Sequence, residues 1–336
     1  MSVNHDDVVA SFQMVLGRSP DSEEAVNYHL RLGFRDRLEL GAYMCSTGEF
    51  RERYDRMVAE GRAPRSPQEP GGRQRPVTVF LGDRVLTETH RGFKIYVPPT
   101  DMDLGPHILL NGIWETHVEK ALLRLLQPGM LAVDVGANIG YHTLTLAGAV
   151  GPGGRVHAFE ASPGLTPLLR ASIFINGMTP WVTVHNLAAL DRPGMVTLAA
   201  QPDHFGSGNV VPPGAEAGYH ADYSSQVQVP GIALDSLLAE GPPLDLIRID
   251  IEGSEPQALR GAATAIGRSP ALRIISEWSV GMMAARADLG GFIAWLQGMG
   301  FRFWLVNAGG GFEPLAASAL LALPHSDVLI SRQEPG

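Results

Sequence analysis

The stretch that most restricts the fold is Leu131 to Gly140, LAVDVGANIG. An apolar run leads to Asp134, and the chain then turns through Gly136 and Gly140 into TLTLAGAV, which reads as a helix. Short apolar runs of this kind are buried parallel strands. The turn that leaves them favours residues without a Cβ, where the backbone bends sharply or nears a ligand. Strand, glycine turn and helix in succession predict an open α/β sheet, in which ligands bind at the carboxyl ends of the strands.

The rest of the chain extends that pattern. RVHAFE, VTVHNLAA, LDLIRIDI, ALRIISEW, FRFWLVN and DVLISR read as further strands, with MVTLAA beginning a hairpin. Helices are expected over Pro163–Asn176, ALDSLLAE, PQALRGAATAI and GGFIAWLQGMG. The alternation predicts a mostly parallel sheet with helices on both faces, residues 129–333 forming this domain. Residues 202–226, rich in Gly, Pro, His and Ser, read as a long loop. Residues 77–128 are a lead-in: VTVFLG, RVLTETH and FKIYVP as short strands, then a loop and the helix THVEKALLRLL, stopped by Pro128-Gly129.

Residues 1–60 read as a small all-α module. Val8, Val9, Phe12, Val15 and Leu16 share a helical face that Gly17 closes. Ser19 or Asp21 would cap the next helix; Arg37–Met44 is a third segment, and Ser46 would cap TGEFRERYDRM. The pieces LGRSPD and STGEFRERY resemble the helical DUF4214 domain, which implies a docking or packing module. Residues 61–76, with prolines, glycines and charges but no apolar period, read as a linker.

A net charge of -9 argues against nucleic acid or an anionic membrane as the main partner. The single cysteine, Cys45, cannot form an internal disulfide and reads as a small buried apolar residue. No apolar run approaches the ~18 residues of a membrane span, and MSVNHDDVV is no secretory signal. A soluble, cytoplasmic protein is expected.

Gly136 to Gly140 is G-x-x-x-G, so neither the dinucleotide fingerprint nor a G-K-[ST] phosphate loop is present. Asp134, directly before the glycines, suits an amine or hydroxyls better than a pyrophosphate. Glu160, 26 residues later at the end of the next strand, can accept both hydroxyls of a ribose.

VDVGANIGYHTLTLA, GRVHAFEASP, the helix ending in Asn176-Gly177, NLAALD and DLIRIDIEGSE together resemble the class I (Rossmann-like) S-adenosylmethionine-dependent methyltransferases of the FkbM family, over residues 80–332. The resemblance implies a seven-stranded sheet with an antiparallel last strand. It implies that the Gly136–Gly140 loop, with Asn138 and the adjoining Tyr141, holds the methionine part of S-adenosylmethionine and Glu160 its ribose. Asn186 to Ala188 would lie along the adenine, and Asp134 and Asp250 would complete the donor site.

IRIDIEGSEP sets Asp250, Glu252 and Glu255 at the end of a central strand. Gly253 turns the chain there, Ser254 would cap the next helix, and the helix dipole favours an acid at Glu255. Methyl transfer to a hydroxyl needs an aligned oxygen and a group to take its proton. Asp250 is the first candidate for that work, Glu252 the second, and His142 a rival base. No metal is expected, although a divalent cation on Asp250 and Glu277 is conceivable. Trp114, Glu115, Ser207, Asn209, Glu277 and Trp278 are the acceptor candidates, Trp278 as a platform for a sugar ring. The expected reaction is O-methylation of a sugar, glycan or glycosylated natural product, with a polyketide hydroxyl as the alternative. An NAD-dependent dehydrogenase lacks support at the third glycine, and the intact cofactor acids argue against a non-catalytic scaffold. A protein partner for the helical module and a homo-oligomer are left open.

Overall fold

The computed structural model describes residues 3–12, 19–34, 40, 43–44, 78–201, 203–212 and 225–335. Two compact units divide the chain, residues 1–74 and 75–336. In the first, α1 (His5–Ser11) begins on a reciprocal cap: Asn4 Oδ1 accepts the Asp7 N–H at 3.0 Å and the Asp7 carboxylate accepts the Asn4 N–H at 2.9 Å. Ser22, not Ser19 or Asp21, caps α2 (Glu23–Arg31), its Oγ accepting the Ala25 N–H at 3.2 Å. A cap must reach an N–H two or three residues ahead, which only Ser22 can do from its extended backbone. Val8, Phe12, Val26, Leu40 and Met44 are buried together. Val15 to Gly17, Cys45, the segment from Ser46 and the 61–76 linker lie outside the described residues.

The second unit opens with an antiparallel sheet of β1 (Val79–Phe80), β2 (Val85–Glu88) and β3 (Lys94–Val97). Next come α3 (Leu104–Asn111) and α4 (Thr116–Leu125). α3 occupies part of the expected loop. Gly105 and Pro106 disfavour a helix by propensity, but both stand in its first turn, where N–H groups have no intrahelical partner. Asp101 Oδ2 accepts the Gly105 N–H at 2.7 Å.

The main sheet starts with β4 (Leu131–Val135), α5 (Tyr141–Val150), β5 (Arg155–Phe159), α6 (Thr166–Ile175) and β6 (Val182–His185). β7 (Ala188–Leu190), β8 (Gly194–Gln201), β9 (His204–Val210) and β10 (Ser225–Ala233) then form a separate sheet in the order β7-β10-β8-β9. After α7 (Asp235–Leu238) the main sheet resumes with β11 (Leu246–Ile249), α8 (Glu255–Arg260), α9 (Ala263–Gly267) and β12 (Arg273–Trp278). It closes with α10 (Val280–Ala284), α11 (Leu289–Gly298), β13 (Arg302–Val306), β14 (Phe312–Leu315) and β15 (Ser326–Ser331).

The strand order is β14-β13-β15-β12-β11-β4-β5-β6, parallel from β12 to β6; β15 runs against both its neighbours, β12 and β13, so β13 keeps the parallel direction and edge strand β14 opposes it. Seven of these strands make the expected sheet. β14 is an eighth, at an edge where Pro314 is tolerated because no ladder needs its missing N–H. Two segments differ from the sequence reading. VTVHNLAA divides between the two sheets, because Asn186 turns the chain by donating to the carbonyls of Glu160 and Ala161. Residues 204–210, read as loop, pair with β8; glycine-rich β9 has little intrinsic strand preference and takes it from its partner.

The chain moves outward from β4 to β6, then crosses back to β11 on the other side of β4. That reversal opens a crevice beyond the carboxyl ends of β4 and β11. Side-chain parity decides what faces it. Leu131, Val133, Val135, Ile247 and Ile249 lie in the core on one side of the sheet, whereas Ala132 and Leu246 lie in the other. Asp134 and Arg248, paired in register, therefore point the second way. At Gly136 (φ +84°) a Cβ would stand 1.8 Å from the Asp250 carbonyl oxygen. Gly136→Ala is expected to cost more than about 3 kcal/mol in denaturant unfolding. Gly267→Ala, whose Cβ meets nothing within 4 Å, should stay within about 1 kcal/mol of the parent.

Candidate active site

A cavity of about 620 Å³ fills the crevice. Its donor-side wall is the loop after β4. The Gly136 and Ala137 N–H groups donate to the Phe159 carbonyl at 2.9 and 3.0 Å. The Asn138 N–H donates to Glu160 Oε2, and the Ser162 N–H to Glu160 Oε1, both at 2.7 Å. Each Glu160 oxygen keeps a lone pair for a further donor. Burial pushes the Glu160 carboxyl up to about 7, against those two hydrogen bonds. Tyr141 lines the cavity while its hydroxyl donates to buried Glu119 Oε2 at 3.0 Å, and burial raises its phenol. Ala188 forms part of the wall with Leu187 and Ala189.

Three residues expected to touch the cofactor stand behind this wall. Asp134 is fully buried, accepting from the Thr143 hydroxyl at 2.6 Å through Oδ2, while Oδ1 has no hydrogen bond. Gly140 begins α5, and a Cβ there would meet Leu169 Cδ1 at 2.6 Å, so its bareness serves helix packing. Asn186 spends its amide on the turn between β6 and β7. All three shape the loop from behind rather than present atoms to the cavity.

Across the crevice, Asp250, Glu252 and Glu277 line the cavity with carboxylate oxygens within 4.8 Å of one another. Burial and the neighbouring Asp250 charge push Glu252 up to about 8 and Glu277 to about 10. With no cation present, Glu252 and Glu277 thus hold protons at neutral pH; the spacing of the three carboxylates could also accommodate a metal ion. Glu277 Oε1 lies 3.3 Å from His325 Nε2. Asp250 is held by Arg248 Nη2 at 2.5 Å. Burial raises the Asp250 carboxyl and Arg248 opposes the rise. Glu252 accepts no hydrogen bond or ion pair among the described residues, and its backbone is left-handed at φ +54°. Glu255 faces inward instead. Its Oε1 accepts the Ile251 and Gly253 N–H groups at 2.8 and 3.3 Å, pinning the turn ahead of α8, while Ser254, expected as the cap, makes no side-chain cap bond.

His142 is buried, its Nε2 2.9 Å from Glu115 Oε2 and its Nδ1 without a partner. Burial works against the Glu115 carboxylate, but the hydrogen bond and charge of His142 and the charge of Arg248 bring it down to about 2. Trp114, Ser207 and Asn209 all line the cavity. Trp278 does not. Glu277 and Trp278 are neighbours on β12 and must face opposite sides of the sheet. Glu277 takes the cavity side; Trp278 is fully buried with Nε1 donating to the Leu320 carbonyl at 3.0 Å.

The sequence reading passed over Arg248, Phe205 and Asp103, all in the cavity wall. The signal for Arg248 was present: a lone cation inside the otherwise apolar LIRI strand requires buried partners. Phe205 and Asp103 gave no comparable signal, because their approach depends on β9. The Phe205 carbonyl accepts from Asn138 Nδ2 at 3.0 Å, and Asp103 Oδ2 accepts the Gly206 N–H at 2.8 Å.

Residues 134–303, half of the chain, match the model of the methyltransferase FkbM domain. The chain belongs to the FkbM methyltransferase family. The match begins at Asp134 and includes the glycine loop, Glu160, Asp250 and Glu277. No curated protein matches the sequence. Among solved structures, the O-methyltransferase from Bacillus cereus in complex with SAH is 16% identical, covering 68% of this chain and 85% of its own at a TM-score of 0.40. A putative rRNA-methylase from Clostridium thermocellum is 12% identical over 70% of this chain and 97% of its own, also at 0.40. A SAM-dependent O-methyltransferase from Thermotoga maritima is 12% identical over 78% and 88%, at 0.38. Similarity at this level does not extend to acceptor or mechanism. No helix among the described residues is long and apolar enough to cross a membrane.

The raised carboxyls of this FkbM site make stability pH-dependent. Glu160 and Glu255 near 7, Glu252 near 8 and Glu277 near 10 bind protons more tightly folded than at their ordinary 4.5. Unfolding then releases protons above pH 4.5, so stability falls as pH rises through the folded values. Glu115, lowered to about 2, acts oppositely: its contribution is present above 4.5 and lost as pH falls towards 2. Scanning calorimetry of the ligand-free protein should give its highest Tm near pH 5 and a steady decline to pH 9. A Tm that rises over that interval would contradict the assignment.

Proposed function

We propose that the protein transfers the methyl group of S-adenosylmethionine to a hydroxyl of a sugar, glycan or glycosylated natural product. The observation that carries this reading is Glu252, a carboxyl without a partner, held in a left-handed turn beside Asp250 on the cavity wall. A hydroxyl becomes a competent nucleophile only as its proton leaves, and a base works best with a pKa near the working pH. Glu252, at about 8, meets that condition. Asp250 is committed to Arg248, so the order of the two acids reverses: Glu252 takes the proton and Asp250 orients the acceptor oxygen.

The donor side fits the cofactor. Glu160 retains lone pairs for ribose hydroxyls, and Leu187 to Ala189 offer a small apolar surface for a flat base. Six carboxylates, Asp103, Glu115, Glu160, Asp250, Glu252 and Glu277, line the cavity against one arginine among the described lining residues. A positively charged ligand would draw the raised carboxyls among them into their ionised form, and so is favoured there. Bound S-adenosylmethionine supplies an electrophilic methyl group on a sulfonium. The protein's task is to align the acceptor oxygen with it, exclude water and accept the hydroxyl proton at a Glu252 carboxylate oxygen. His142 also lines the cavity, but with Nε2 on Glu115 it is left to support that carboxylate. Polar Ser207 and Asn209 with Trp114 make an acceptor wall suited to a hydroxylated ring. Residues 1–60 we read as a DUF4214-like docking module, supported by LGRSPD, STGEFRERY and the packing of α1 on α2.

Methyl-labelled S-adenosylmethionine incubated with a panel of monosaccharides, glycosides and macrolactones tests the acceptor class. Label should appear as an O-methyl group on a sugar-bearing compound; transfer confined to aglycone hydroxyls or to nitrogen would overturn the assignment. With the active acceptor, Glu252→Gln should lower kcat by about 100-fold or more. The parent rate should rise with pH through about 8, as the Glu252 carboxylate forms, and the variant should lose that limb.

A further inference from the structure

Arg248 is the buried cation at the centre of the crevice, its side chain 6% exposed. Its two Nη atoms go to different halves of the site. Nη1 donates to the Gly136 carbonyl at 2.9 Å, on the donor loop, and lies 3.5 Å from Asp134 Oδ1. Nη2 donates to Asp250 Oδ2 at 2.5 Å and lies 3.6 Å from Glu115 Oε2, on the lead-in ahead of α4. One planar group therefore ties its own strand end, at Asp250, to two segments distant in sequence, residues 134–136 and Glu115.

We propose that Arg248 is the positioning residue of this site, a clamp that fixes the donor loop and the acceptor-side Asp250 in one arrangement. Sheet stability alone does not account for it. The flanking Leu246, Ile247 and Ile249 show what this strand buries when packing is the only demand. A buried ion pair is often no more stabilising than apolar residues of equal volume, while losing one partner of such a pair is strongly destabilising. Arg248 and Asp134 together introduce two buried charges in register where two aliphatic side chains would pack. The return is geometric. A guanidinium presents donors in a rigid fork, so satisfying Gly136 with one arm determines where the other meets Asp250. The close approach of the same segments on the backbone side, where Gly136 leaves no room for a Cβ against the Asp250 carbonyl, closes the joint from behind.

The inference rests on the methyltransferase reading for what the clamp serves, but its geometry can be tested separately. Lysine keeps the charge beside Asp134 yet has no fork and cannot span both arms. In Arg248→Lys, hydrogen–deuterium exchange without ligand should accelerate at least tenfold in residues 136–140 and 250–254 and stay unchanged in 155–159. The Tm should move little, and calorimetry should show S-adenosylhomocysteine bound at least tenfold more weakly. Unchanged exchange in both segments, or acceleration throughout the domain, would overturn the clamp. Should the lysine variant not fold, Asp250→Ala, which removes the acceptor of Nη2 and leaves the contacts of Nη1 with Gly136 and Asp134, takes its place. It should accelerate exchange in 250–254 while sparing 136–140; equal acceleration of both overturns the two-arm assignment. Failure of the parent protein to bind S-adenosylhomocysteine or S-adenosylmethionine would instead remove the methyltransferase reading, leaving the exchange result to decide the clamp.

Discussion

Everything at the crevice depends on one buried guanidinium. Moving a charge from water into a protein interior costs several kcal/mol even after relaxation. Arg248 is retained at the middle of the sheet because Asp134, the Gly136 carbonyl, Asp250 and Glu115 converge on it. Those partners come from the two strands that flank the topological switch point and from the lead-in to the domain. The fold thus places a costly buried charge where β4 and β11, running outward in parallel, open a crevice between their ends. Remove the cation and Asp134, Glu115 and Asp250 lose the positive charge they share.

The same crowding explains why the cavity is a poor resting place for its own side chains. Glu160, Glu252 and Glu277 are all lifted well above the ordinary carboxyl range by burial and by the nearby charge of Asp250. A sequence optimised for stability would dilute that charge. A site for a cationic donor benefits from keeping these carboxyls, because they are already oriented and the cation's field favours their ionised form when it arrives. Function and stability pull apart here, and the difference is carried by protons.

Much of this was readable in the residues. The glycine turn, Glu160 one strand later and the acids of IRIDIEGSE occupy the crevice because each ends a parallel strand, and strand ends are where this class of sheet binds ligands. What escaped reading depends on contacts distant in sequence. Arg248 looked like one basic residue in an apolar run; its meaning appears only when Asp134 lies beside it in register. β9 resists prediction because its glycines have no strand preference until β8 provides one. Trp278 is a different failure, since the alternation rule was sufficient: a residue adjacent to Glu277 on a strand cannot face the same ligand.

Backbone conformation draws the same boundary as charge. Among the described residues four non-glycines have positive φ: Glu115, Asn138, Asp203 and Glu252. Three of them line the cavity, and the fourth is adjacent to β9, which meets the donor loop through the Phe205 carbonyl. Each such residue costs of order 1 kcal/mol or more unless its surroundings hold it in place. Asn138 is held through the bond to Phe205, and Glu115 through His142 and Arg248. Glu252 has no such side-chain anchor. Its strain is maintained by the backbone on either side, with Asp250 fixed by Arg248 and the following turn fixed by Glu255. A carboxyl presented by a rigid, strained turn and tied to nothing is free to meet a ligand. The clamp at Arg248 is what keeps that turn rigid.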